Sequence, residues 1–165
     1  MRTRSVSASS APAFIADQLL RAFDGSAWHG HALLELLADV DAATAAAKPL
    51  RRVHNIWELV LHIAGWDRAV QRRLGGEKLQ LAAAENFPVV PKPTQANWRR
   101  TLKQLRNTHA ALVKTVAALP DSRLRGRVPG KKYDFHFMLH GVMQHELYHA
   151  GQIAILRKAL RRTRR

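Results

Sequence analysis

Cysteine is absent from this 165-residue chain, which excludes a disulfide scaffold, a thiolate zinc finger and a cysteine nucleophile. Long apolar runs are missing as well. None approaches the roughly 18 residues that span a bilayer, and no apolar segment follows Arg2 and Arg4 as a secretion signal would require. The expectation is therefore a cytoplasmic protein that does not enter the membrane. Strand-like alternation and internal repeats are also lacking, so an all-α chain is expected. Acidic residues are scarce in one half only. Residues 1–90 carry 10 basic and 9 acidic side chains, whereas residues 91–165 carry 17 and 3. Such asymmetry suits a polyanion partner, or serves solubility alone.

What is present is helical spacing, punctuated by Gly and Pro. Apolar periodicity predicts helices over Ala13–Phe23 and Ser26–Val40, the second capped by the Ser26 hydroxyl, and a weaker piece over Asp41–Ala47. Asn55 stands as an N-cap with Glu58 three positions on, a capping box that opens a helix running to Leu74 before Gly75 and Gly76. Three prolines between Lys78 and Pro93 suit a long crossover. Thr94 opens a helix ending near Leu119, with Leu102, Leu105, Leu112 and Val116 on one side and Arg99, Lys103, Arg106 and Lys114 on the other. Asp134 caps a last helix that reaches about Arg161. Four long helices with one long connection predict a four-helix bundle over residues 13–161, between a disordered basic tail (1–12) and a short basic tail (162–165).

The last helix contains His145-Glu146-Leu147-Tyr148-His149, the H-E-x-x-H pattern of zinc peptidases. An i, i+4 spacing puts two imidazoles on one helix face, within reach of a single ion. The spacing alone is weak, because nine histidines produce such pairs by chance and His136 and His140 form another. The third ligand of a peptidase is also missing, since no Asp, Glu or His follows His149. A third partner has to lie upstream, and His62, in the middle of the second main helix, is the best placed.

Two strings carry the comparison further. Asn55-Ile56-Trp57-Glu58-Leu59-Val60-Leu61-His62-Ile63-Ala64-Gly65-Trp66 and Gly141-Val142-Met143-Gln144-His145-Glu146-Leu147-Tyr148-His149-Ala150-Gly151-Gln152-Ile153 resemble the DinB-like family of small helical metalloproteins. Ala27-Trp28-His29-Gly30 is similar to its usual opening. The resemblance implies a four-helix bundle with a long crossover, often dimeric, and a divalent metal held by one His of the second helix and two of the fourth. Carried over, those ligands are His62, His145 and His149. It further implies hydrolysis, or transfer and isomerisation with a low-molecular-weight thiol such as bacillithiol, mycothiol or glutathione. With no cysteine in the chain, the thiol has to come from a cosubstrate.

The residues support the same three positions. On a helical wheel Met138, Val142, His145, His149, Gln152 and Leu156 share an arc, as do Leu59, His62, Ile63 and Trp66. Three imidazoles without an obvious fourth protein ligand leave a coordination position for water or a small-molecule substrate. Such a set suits Zn²⁺, Ni²⁺ or Fe²⁺ without choosing among them. Glu58 and Gln152 are candidates to accept an imidazole N–H, and Glu146 is either a base or a surface residue. His109 is expected in the core, His136 and His140 at the surface, and His29 and His31 in solvent, packed, or at the site mouth. The tryptophans at 28, 57, 66 and 98 are expected mostly as core, with Trp66 near the metal. The alternative to a metalloenzyme is a non-enzymatic stress-response or binding protein with a structural metal, or one that binds anions or nucleic acid through the basic half. A milder role for the positive charge is to attract anionic substrates.

Overall fold

The computed structural model describes residues 10–163, and the outer parts of both expected basic tails lie outside them. Among the described residues there are helices and no strand. The elements are α1 (Ala11–Asp24), α2 (Leu33–Leu37), α3 (Ala42–Ala46), α4 (Ile56–Leu74), α5 (Ala83–Asn86), α6 (Gln95–Ala117), α7 (Asp121–Leu124) and α8 (Phe135–Thr163). The long helices α4, α6 and α8 join α1 in an all-α bundle, with α1 and α4 each packed on both α6 and α8.

Local chemistry accounts for most helix starts. Ser10 accepts from Ala13 N–H, Asp41 from Thr44 N–H, Thr94 from Asn97 N–H, and Asp134 from Phe137 N–H. Each satisfies one of the orphan donors of a first turn. At α4 the box is reciprocal. Asn55 accepts from Glu58 N–H at 2.8 Å and the Glu58 carboxylate accepts from Asn55 N–H at 2.9 Å.

The core has two parts. One gathers Leu33, Trp57, Ile63, Trp98 and Ile153, and the other Leu19, Val70, Leu112, Phe135 and Leu139. Trp57 donates its indole N–H to Thr101 at 3.0 Å and Trp98 donates to the Val40 carbonyl, so both buried rings have their polar edge satisfied.

Two expectations need correction. The helix expected over Ser26–Val40 is reduced to α2, because Ser26 has a left-handed φ of 57° that no helix start accommodates and Gly30 a φ of 120°. Trp28 is fully exposed, not core. Between α4 and α6 runs the proline-containing segment 75–94. It carries α5, which lies close against α4 because Gly65 has no side chain: a Cβ there would sit 3.1 Å from the Glu85 carbonyl oxygen.

Candidate metal centre

α4 and α8 are neighbours in the bundle, and their shared face brings His62, His145 and His149 together. His145 Nε2 lies 2.9 Å from His62 Nε2 and 3.1 Å from His149 Nε2. His62 and His149 are buried, and His145 is half-buried.

The contacts of the outer nitrogens favour one tautomer for two of these rings. His62 Nδ1 sits 2.6 Å from the Asn86 carbonyl and His149 Nδ1 2.6 Å from Gln152 Oε1. Both partners only accept, so both Nδ1 atoms carry the hydrogen and both Nε2 atoms of the neutral rings are bare lone pairs. His145 can give an Nε2 hydrogen to one of them but not to both. The set is one positive centre short, and a cation at the common point supplies it. Separations near 3 Å also approach the ~3.3 Å between neighbouring ligands of an ion held at ~2.0–2.1 Å. The three side chains therefore fit a divalent metal.

Protonation is a poor substitute for a cation. Burial holds the His145 pKa down to about 3, helped by the neighbouring His149 and His62. Burial lowers His62 and His149 too, against the pull of Asn86 and Gln152 respectively.

Two neighbours hold His62 in place. Phe87 stacks on its ring at 4.1 Å and is itself stacked by His54 at 3.9 Å. Asn86 fixes the imidazole with its carbonyl and, through Oδ1, accepts the Trp66 indole N–H at 3.0 Å. The Trp66 ring lies 5.5 Å from that of His145. Asn86 and Phe87 fall in the stretch expected as a crossover, and nothing in their local sequence marks them for this site. Glu58 spends its carboxylate on Asn55 N–H, Lys48 and His54. His136 is exposed and His140 half-buried, with each other's ring as neighbour. His29 and His31 are exposed, and His31 lies 3.7 Å from Glu35.

Glu146 is not at the surface. It is 1% exposed and shares a second buried group with Asp67 and His109, drawn from α8, α4 and α6. His109 Nδ1 is 3.2 Å from Asp67 and 3.5 Å from Glu146, and its ring stacks on Phe23 at 3.9 Å. Neither Glu146 oxygen nor His109 Nε2 has a hydrogen-bond partner. Burial, and then the Asp67 charge, push the Glu146 carboxyl well above the usual range. This trio also has ligand atoms close enough to hold one cation. The i+1 position of Glu146 gave no hint of it, because its partners are supplied by two other helices.

A family model for the DinB superfamily matches residues 27–153, most of the chain. The chain belongs to the DinB superfamily. No curated protein and no solved structure matches it. In this DinB-superfamily chain a cavity of about 230 Å³ opens beside His145, with Trp66, Val142, Arg73 and Tyr133 also in its wall. No helix of the described residues is long and apolar enough to cross a membrane.

Proposed function

We propose that His62, His145 and His149 hold a divalent metal, Zn²⁺, Ni²⁺ or Fe²⁺, and that the protein is a metal-dependent enzyme of hydrolysis or of S-transfer with a low-molecular-weight thiol. The observation that carries it is the meeting of two bare Nε2 lone pairs, fixed by Asn86 and Gln152, on a third Nε2. A metal in such a set lowers the pKa of a bound water or thiol and so supplies a nucleophile at neutral pH. The chain's own residues do the rest. Asn86 and Gln152 orient their imidazoles and keep the inner nitrogens unprotonated. Phe87 covers the His62 ring, and the cavity walled by Trp66 and His145 admits the substrate. The absence of cysteine means that any thiol arrives with a cosubstrate.

The test is elemental mass spectrometry on untagged protein. About one equivalent of metal per chain in wild type, lost in both His62→Ala and His149→Ala, is the expected result. Wild type that stays metal-free after incubation with Zn²⁺, Ni²⁺, Mn²⁺ and Fe²⁺ overturns the proposal.

A further inference from the structure

Arg73 is a buried cation without a counter-ion. On the last turn of α4, it is 3% exposed. Its Nη2 donates to the Leu79 carbonyl at 3.2 Å and its Nη1 reaches the Tyr133 hydroxyl only at 3.5 Å. Its Nε has no partner at all. Among the described residues no carboxylate pairs with it, whereas the exposed Arg72 beside it in sequence takes both Glu77 and Glu85. A guanidinium cannot shed its proton to escape this burial, and removing a charge from water without a counter-ion is costly.

The position of that charge suggests why it is retained. Arg73 and Tyr133 line the same cavity as His145, and the rest of the wall is almost wholly apolar, with Trp66 lying 5.5 Å beneath the guanidinium. Tyr133 and Phe137 also border a second, more open depression that presents Arg125, Arg127 and Lys132 against the single carboxylate of Asp134. An anion approaching the cavity therefore meets positive charge outside and an unpaired guanidinium within. An arginine fork matches a carboxylate geometrically, and pairing in a dry site is worth more than at the surface.

We infer that this cavity binds a small carboxylate with an apolar body, Arg73 taking the carboxylate and the apolar wall the body, so that the rest of the molecule is presented to His145. Arg73 is thus a specificity determinant of the reaction, and the inference rests on the metal-site proposal only for what happens at His145. The carboxylate-binding part stands independently of the metal, which allows the two to fail separately.

The probes are phenylacetate and its neutral isostere phenylacetamide, titrated calorimetrically into wild type, His62→Ala, Arg73→Met and Gly141→Leu. Gly141 lines the cavity, and a Cβ there meets nothing within 4 Å, so a larger side chain at this position projects into the space. Phenylacetate is expected to bind at least about tenfold more tightly than the amide, in line with a charge-assisted bond, both in wild type and in metal-free His62→Ala. The preference disappears in Arg73→Met, and Gly141→Leu binds neither probe. Should Arg73→Met not fold, the side-chain Nε–H resonance of Arg73 in wild type decides instead: it shifts with phenylacetate and not with the amide. Equal binding of the two probes, no binding of either, or a preference that survives without Arg73 overturns the inference. A preference present in wild type but absent in His62→Ala also overturns it, because the carboxylate would then be a metal ligand, and the metal site itself would stand.

Discussion

Gln152 decides which nitrogen of His149 is free. Its Oε1 accepts the Nδ1 hydrogen at 2.6 Å, leaving Nε2 bare toward His145 and His62. Without that acceptor the ring can take the other tautomer, with a hydrogen directed into the cluster, or rotate away. Replacing such an orienting partner typically weakens a metal by ~10–100-fold. Gln152→Leu is therefore expected to lower metal affinity by about that factor, measured by competition with a chromophoric chelator, while thermal stability of the metal-free protein changes little. Unchanged affinity would mean that His149 is oriented by packing alone. Asn86 does the same for His62, but with a backbone carbonyl, which no side-chain substitution removes. The pairing of His145 and His149 was visible as a local helical spacing, whereas His62, 83 residues earlier, was joined to them through the family resemblance. Asn86 was not legible, since it lies 24 residues from His62 along the chain and reaches it only because α5 settles onto α4 at Gly65.

At the level of elements, the start of α4 matters most, because it sets the register of His62. The box of Asn55 and Glu58 was visible as a sequence pattern and forms as expected. The same logic placed a cap at Ser26 and failed, because the turn through Ser26 and Gly30 adopts left-handed backbone and delays the helix to Leu33. A capping residue announces a helix only where the following backbone is free to be helical. Glu58 adds a pH dependence. Burial tends to raise its pKa, but the Asn55 N–H, Lys48 and His54 outweigh that and hold it below the ordinary carboxylate range. A depressed folded pKa gives stability that is present above the unfolded pKa and lost as pH falls through the folded one. Glu58→Gln is expected to cost ~0.5–1 kcal/mol at neutral pH, as for a charge in a first helical turn. Urea titrations of the two proteins should converge as pH drops through and below the carboxylate range. A gap that persists undiminished in acid would show that the charge of Glu58 contributes nothing.

Across the whole molecule, the two ends of charge behaviour are separated in space. The basic residues Arg99, Lys103, Arg106 and Lys114 stand exposed on α6, where their length and hydration suit solvent. The opposite face of the same helix carries His109 into the buried trio with Asp67 of α4 and Glu146 of α8, and Phe23 of α1 closes it by stacking. All four main helices thus meet at one polar point in an otherwise apolar core. No sequence pattern announces such a point, because its members are 37 or more residues apart and each looks alone. Burying it is expensive, and the contact of His109 with Asp67 offsets part of the desolvation only while both are present. Removing one partner is then worse than removing all. Asp67→Ala is expected to destabilise by ~3–5 kcal/mol, the usual penalty for stranding a buried polar group, read from chemical denaturation of metal-free protein. The apolar triple Asp67→Leu, His109→Phe, Glu146→Met keeps the ring on Phe23 and is expected to recover to within about 1 kcal/mol of wild type or to exceed it. A triple variant as unstable as Asp67→Ala would mean that the trio contributes net stability of its own.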